Sequence, residues 1–437
     1  MNTISKLVDI VYKDNVYLND EKKKIYSRID GFLKLLRKIL LKHKIDAEVF
    51  LGGSSAKDTF LKGKFDSDVF VRFNYEKYKV FSNELSDIIE KPISEISKNK
   101  YNRVHGSRDY YIYIDKASNP SIKFEVIPVL KIDNPLNSMN ITDVSPLHVI
   151  WAKKYLTKSN KLVKEIVATK LFMKSIGVYG AESYIRGFSG HDVDILIFYY
   201  KSFENLLKSA IVWEKHQVID LEKHYSDKKT VISKLNPSKI SPLLLIDPVQ
   251  PERNAAASLS TEKFELFKLK ALEFLSNPKP SYFIERKFSL SGLKKTKIEN
   301  CKKIIYFCEP LEGKQDVVGS KLLKCYEHIK KRFKSSGFDV FDSDWFWDKS
   351  DKAHFWYYIT IDSIQNLKTN PFYVHKGPPT KKELDAKKFR EKHISVYEED
   401  SFLFTKVKRE FNSIERLSNH ILREKYVLER VRKIKEV

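Results

Sequence analysis

The stretch GGSSAKDTFLKGKFDSDVFVRF, residues 52–73, decides how this chain folds. A Gly-Gly-Ser-Ser turn opens it, and eleven residues separate Gly53-Ser54 from Asp66-Ser67-Asp68. The apolar run after Asp68 reads as a strand over 66–73. On a strand, residues i and i+2 share a face, so Asp66 and Asp68 present two carboxylates together. AEVFL at 47–51 reads as the strand before the turn. IKFEVIPVL at 122–130 reads as a further strand, with Ile122, Phe124, Val126 and Pro128 on one face. Lys123, Glu125, Ile127 and Val129 fall on the other.

Two close carboxylates repel, and each raises the pKa of the other. A divalent cation relieves that repulsion, and hard oxygen donors on a rigid strand suit Mg²⁺ when phosphates complete its shell. Glu125 supplies a third acid, and three carboxylates on two neighbouring strands can hold a two-metal site. The turn complements it. Glycine lets backbone approach closely, and N–H groups with the Ser54 hydroxyl can hold phosphate oxygens. Lys57 and Thr59 add donors nearby. Asp342-Ser343-Asp344 repeats the tripeptide without a preceding Gly-Ser turn, and reads as a surface turn.

Around this centre the chain has 437 residues, which at ~150 per domain suggests about three domains. With 14 Gly, 15 Pro and 3 Cys it is neither collagen-like nor a disulfide scaffold. Cys301, Cys308 and Cys325 read as reduced structural thiols of a cytoplasmic protein. No apolar run is long enough for a membrane span, and the first residues lack a signal-peptide core. Lys+Arg 80 against Asp+Glu 57 leaves +23, the balance of a protein that meets a polyanion.

The periodicity predicts a helix over 19–43, then a mixed α/β module to about residue 147. A mainly helical region follows, with helices over 160–176, 202–215 and 261–276 and a Pro-rich boundary at 276–282. PERNAA at 251–256 reads as a helix start. The last third reads as a second α/β module closed by a basic helix over about 404–435. Lys406, Lys408, Arg409, Arg416, Arg423 and Arg430 lie in that tail. Trp345, Trp347, Trp356 and Tyr357 are expected to pack in a core. The fold class expected is α+β, with domains at 1–147, 148–281 and 282–437.

The 52–73 segment resembles the signature of the DNA polymerase β-type nucleotidyltransferases. TDVSPLH at 142–148, KLFMKSIGVYGAESYIRGFSG at 170–190 and DPVQPERNAAASLS at 247–260 narrow the match. Together with HKGPP at 375–379 they resemble the archaeal class I CCA-adding enzymes. That resemblance implies stepwise, template-independent addition of C, C and A from CTP and ATP to the tRNA 3′ end. It implies two Mg²⁺ ions on Asp66, Asp68 and Glu125, the last standing where many relatives have Asp. Nucleotide contacts would come from Gly53, Ser54, Lys57, Ser145, His148, Lys170, Tyr179 and Arg253, with Arg253 helping to select the base. Relatives usually carry Arg at the Lys57 position, Arg at the Val144 position and an EHPY-like segment near His105. The basic surface would follow the tRNA acceptor stem and elbow. Oligomeric state stays open, a homodimer included. Two alternatives also stay open: an ATP-specific polymerase of poly(A) or oligoadenylate type, and a non-catalytic RNA-binding scaffold.

Overall fold

The computed structural model describes residues 3–63, 65–116, 120–159, 161–285, 287–369, 372–408, 410–411 and 413–437. They form two compact units, Met1–Arg286 and Lys287–Val437. Among the described residues, no helix is long and apolar enough to cross a membrane.

The first unit opens with α1 (Thr3–Asn15) and α2 (Asn19–Lys42). Glu21 starts α2 by accepting a hydrogen bond from the Leu18 N–H at 2.8 Å. Ile25, Ile29, Phe32, Leu36 and Leu40 then repeat at helical spacing and are buried. The chain continues through β1 (Ala47–Leu51), α3 (Gly53–Ala56), β2 (Asp66–Phe73), α4 (Tyr75–Tyr78) and α5 (Leu85–Ser97). Next come β3 (Tyr101–Val104), β4 (Tyr110–Asp115) and β5 (Ile122–Leu130). The sheet order is β1-β2-β5-β4-β3, with β2 and β5 parallel and the other pairs antiparallel.

The alternation in β2 and β5 sorts the two faces. Ser67, Val69, Val71 and Phe73 are buried on the back, with Ile122, Phe124 and Val126. There Phe32 of α2 stacks on Phe124 at 3.9 Å between ring centroids. The front face is divided. Phe70, Val129 and Val149 form an apolar cluster at one end, and Asp66, Asp68 and Glu125 occupy the other.

The helical layer comprises α6 (Ser145–Leu156), α7 (Lys161–Ser175), α8 (Gly190–Tyr200), α9 (Phe203–Ala210), α10 (Lys228–Lys234) and α11 (Thr261–Ser276), with β6 (Gln217–Ile219) and β7 (Leu243–Leu245) as a small parallel pair. Its core takes in Ile4, Leu7, Val8 and Val11 of α1, so the first helix serves this layer. PERNAA is a turn and not a helix start. Asn254 Oδ1 accepts the N–H groups of Leu245 at 3.0 Å and Ala256 at 3.1 Å, which pins the segment against Ile246 as a bridge.

The second unit begins with α12 (Leu290–Lys295) and β8 (Cys301–Pro310). Then follow α13 (Gln315–Ser335), β9 (Val340–Trp347), β10 (Ala353–Thr360), α14 (Ile361–Thr369), β11 (Phe372–Pro379) and α15 (Glu383–Lys392). The chain ends with β12 (Val396–Glu399), β13 (Phe402–Lys408), α16 (Ile414–Ile421), α17 (Lys425–Leu428) and β14 (Val431–Glu436), and two sheets result, β14-β8-β10-β9 and β11-β13-β12.

Two expectations change here. The tail over 404–435 is the end of a strand, two short helices and a final strand, because FTKVK and VRKIK alternate with period two. Lys406 and Lys408 therefore lie on β13, Arg416 on α16, and Arg423 and Arg430 in turns; Arg409 lies outside the described residues. Asp342-Ser343-Asp344 is part of edge strand β9 and not a turn. Its β10 neighbours are Tyr358 and Trp356, neither of them an acid. Tyr357 is fully buried, while Trp345, Trp347 and Trp356 are half-buried.

Candidate active site

The parallel register of β2 on β5 sets Asp66 opposite Lys123 and Asp68 opposite Glu125. All four side chains share the front face, so three carboxylates and one ammonium form a square. Lys123 Nζ lies 2.6 Å from Glu125 Oε1 and 3.5 Å from Asp66 Oδ1. Burial, then the charges of Glu125 and Asp66, push the Asp68 carboxyl up to about 7, against the pull of Lys57 and Lys123. That is the electrostatic signature of a place built to take positive charge. The donors are hard oxygens on a stiff element, the set that fits Mg²⁺ or a similar ion.

The turn between β1 and β2 closes over this group. Gly53 has φ +56, and a Cβ there would stand 1.6 Å from Asp68 Oδ2. Only glycine lets α3 approach the carboxylate so closely. Gly53→Ala is expected to cost about 1–2 kcal/mol for the left-handed backbone alone, with displacement of Asp68 in addition. Urea unfolding curves read the first effect. The first turn of α3 presents N–H groups that lack intrahelical acceptors, with the partly exposed Ser54 among them. Ser55 is different: it is buried, and its hydroxyl donates to the Asp66 carbonyl at 3.2 Å.

Lys57 and Thr59 turn inward to the helical layer. Lys57 Nζ pairs with Asp194 of α8, whose side chain is fully buried. Thr59 is buried and accepts from Lys170 Nζ, through its carbonyl at 3.1 Å and Oγ1 at 3.0 Å. Burial, with Lys57 and Lys174 beside it, pushes Lys170 down to about 7, against Asp194 and Asp68. Tyr179 lies in the same field: burial, then Asp194, raise its phenol.

GVYGAE and RGFSG are held together by an isolated bridge between Tyr179 and Phe188. Gly180 N–H donates to the Phe188 carbonyl and Phe188 N–H to the Val178 carbonyl, each at 2.8 Å. A Cβ at Gly187 would meet the Val178 carbonyl oxygen at 2.1 Å, which fixes that glycine. Ser189 then caps α8 by accepting from Asp192 N–H at 3.1 Å, while Asp192 accepts from Ser189 N–H at 2.7 Å.

A second group surrounds Asp247, which is fully buried. Its Oδ1 accepts from Val249 N–H at 2.9 Å and Gln250 N–H at 3.1 Å, and lies 3.0 Å from His148 Nε2. Its Oδ2 takes the Arg253 guanidinium. His191 packs on His148 with ring centroids 4.1 Å apart. Burial, then His148, press the His191 imidazole down to about 4. His148, His191 and Asp247 bring ligand atoms within 4.8 Å of one another. The Arg253 charge on the same carboxylate and the hydrogen bonds filling Oδ1 make this a positioning hub rather than a cation site.

Ser145 begins α6 and is partly exposed. Val144 beside it is fully buried, and the cation of this corner is Arg108, paired with Asp143. His105 is exposed and lies 2.8 Å from Asp109. Lys123, Asp194, His191 and Asp247 were not candidates from sequence. The signals available were the i, i+2 spacing of Lys123 and Glu125 and the place of Asp247 at the head of DPVQPERNAAASLS.

A mixed sheet with paired aspartates behind a glycine turn, roofed by helices, defines a nucleotidyltransferase. Comparison with known proteins agrees. Residues 1–154 match the Second Messenger Oligonucleotide or Dinucleotide Synthetase domain, 164–284 the tRNA nucleotidyltransferase second domain, and 301–435 the CCA-adding enzyme C-terminal domain. A structure of the Cid1 poly(U) polymerase, a mutant bound to MgATP, superimposes with a TM-score of 0.50 at 14% identity, covering 65% of this chain and 99% of that one. The CCA-adding enzyme of Nanoarchaeum equitans is 36% identical over 393 residues, 90% of this chain and 91% of its own. Those of Methanocaldococcus jannaschii and Pyrobaculum aerophilum are 30% and 29% identical, over 84% and 90% of this chain and 79% and 87% of theirs. The chain belongs to the archaeal class I CCA-adding enzymes.

Proposed function

We propose that this protein adds C, C and A, one nucleotide at a time, to the 3′ end of tRNA. Each step joins the RNA 3′-oxygen to the α-phosphorus of CTP or ATP and releases diphosphate. The observation that carries the reading is the register of β2 on β5, which sets Asp66, Asp68 and Glu125 on one face beneath the Gly53 turn. Those three carboxylates would hold divalent ions, Mg²⁺ above all, which when bound polarise the attacking hydroxyl and neutralise the leaving diphosphate.

The chain's own groups do the rest of the work in this reading. Ser54 and the α3 N–H groups hold β- and γ-phosphate oxygens, close to Gly53. Lys57 and Lys170 form a buried cationic wall, tied to Asp194 and Thr59. A triphosphate entering there meets the Lys57 ammonium and, by its own negative charge, favours the protonated form of Lys170 in a dry setting where charge acts strongly. Tyr179 offers its ring to the sugar, and Ser145 and His148 border the same space from α6. Arg253 presents a planar fork to the base edge, oriented by Asp247.

In this reading 1–147 carries the chemistry, 148–281 grips the nucleotide and acceptor end, and 282–437 holds the body of the tRNA. The excess of 80 basic over 57 acidic residues supports contact with the acceptor stem and elbow through phosphates. Cytoplasmic residence follows from the substrate.

Arg253→Ala is expected to blur the choice between C and A by at least about tenfold while tRNA affinity changes little; a lost bidentate base contact corresponds to about 1–3 kcal/mol. Single-turnover incorporation of each nucleotide and filter binding measure the two quantities. The match of 1–154 to a Second Messenger Oligonucleotide or Dinucleotide Synthetase domain favours one second reading, an ATP-specific polymerase of oligoadenylate type. The test is ATP with a tRNA ending in CC against an oligo(A) RNA. One A on the tRNA and none on the oligonucleotide supports CCA addition; continued tailing of the oligonucleotide supports the alternative.

A further inference from the structure

The square of side chains on the front face holds a feature that the carboxylates alone do not explain. Its fourth corner is Lys123, which faces Asp66 across the parallel pair and precedes Glu125 by two residues on the same strand. The strand geometry therefore leaves its side chain no choice of face. Its ammonium lies 2.6 Å from Glu125 Oε1 and 3.5 Å from Asp66 Oδ1, bridging the two outer acids. The contact is partly shielded, with Lys123 33% and Glu125 19% exposed. At the other Asp-Ser-Asp the residues opposite on the neighbouring strand are Trp356 and Tyr358, so no lysine holds the position that Lys123 holds here.

Three carboxylates on adjacent strands repel one another, so without a cation they would splay or take up protons. A lysine ammonium is a compact point charge on a flexible stem, able to sit between two carboxylates and to leave them. A divalent ion drawn to Asp66, Asp68 and Glu125 would compete with the Lys123 ammonium for the same negative charge.

We propose that Lys123 is a built-in counter-cation of the metal site, which keeps Asp66 and Glu125 converged in the metal-free protein and must release Glu125 when a divalent ion enters. It is a positioning residue, and the inference rests on the metal reading given above. Two consequences follow. Lys123 lowers the affinity of the bare protein for divalent ions, because each ion must displace it. It also favours entry of metal together with a nucleoside triphosphate, whose own negative charge gives the displaced ammonium a new partner.

The test is Mn²⁺ binding to the full-length protein without nucleotide, read from the loss of the free-ion electron paramagnetic resonance signal. Lys123→Met keeps the length of the stem and removes the charge. Its Mn²⁺ dissociation constant is expected to fall by about tenfold or more, since a neighbouring like charge is removed. A residue that merely supported the sheet would give weaker binding when removed. Thermal melts supply the second readout. Mn²⁺ should raise the melting temperature of Lys123→Met more than that of the wild type, because the ion replaces the missing cation. Equal or weaker Mn²⁺ binding by a folded Lys123→Met overturns the inference. Asp68→Asn separates this from the metal reading itself. Saturable wild-type binding that Asp68→Asn abolishes upholds the metal site whatever Lys123 does. No saturable binding by the wild type or Lys123→Met removes both.

Discussion

Asp68→Ala is expected to abolish nucleotide incorporation, lowering the single-turnover rate by at least about a thousandfold, since metal-held charge stabilisation amounts to several kcal/mol. Asp68 is the inner acid of the group. Glu125 faces it across the strand pair, and the α3 turn approaches it so closely that a Cβ at Gly53 would overlap its Oδ2. Asp66, at the start of β2, is 58% exposed and more easily replaced by water. The loss is therefore expected to be larger at Asp68 than at Asp66. Folding is not expected to suffer, because the substitution removes a partly buried carboxyl that repels two others. Nor is tRNA binding, which draws on phosphate contacts over a wide basic surface. Rapid-quench incorporation, filter binding and a thermal melt separate the three quantities. Retained turnover would sink the catalytic assignment.

Asp143→Ala has the largest expected effect on stability. Asp143 and Arg108 have side chains 0% and 3% exposed, and they pair directly. Asp143 also accepts from Leu130 N–H at 2.9 Å, Asn140 N–H at 2.9 Å and Met139 N–H at 3.1 Å. Arg108 in turn donates to Ser82 Oγ at 2.8 Å and the Pro128 carbonyl at 3.3 Å. Removing one partner strands a buried guanidinium and three N–H groups, a loss of about 3–5 kcal/mol. The melting temperature should fall by on the order of 10 °C. Asp30→Ala is the control, because its pair with Lys34 has the same chemistry at 55% and 72% exposure. That variant should stay within about 0.5 kcal/mol of the wild type. Equal losses from both would show that burial does not set the strength of these pairs.

Asp143 precedes Val144, a position where the family resemblance implies arginine. Here Val144 is buried in the core behind the sheet and the guanidinium comes from Arg108. The charge missing from one position is supplied from 36 residues earlier in the chain. Only the folded chain brings the two together.

The same contrast runs through the molecule. Strands β1, β2 and β5 are readable to the residue, because alternation with one apolar face is a local signal. The three carboxylates follow from that alternation. Helix α8 is not readable in this way. DVDILIF is buried on every side, so no amphipathic period marks it as a helix. The partners of the site residues are also hidden. Lys57 finds Asp194 across 137 residues and Lys170 finds Thr59 across 111. Spacing carries no trace of such contacts, and a lysine read alone is a solvated charge. The basic tail misleads for the opposite reason: its charge is real, but Lys406 and Lys408 lie on a strand and Arg416 on a helix. Charge density indicates polyanion binding without fixing the element that carries it.

The most direct measurement is incorporation into a tRNA transcript ending at the discriminator base, with Mg²⁺ and CTP or ATP, singly and together. The account predicts two additions with CTP alone, none with ATP alone, and a third, A, when both are present, all lost in Asp68→Ala. Tailing by ATP alone, or bound tRNA that is never extended, would contradict it.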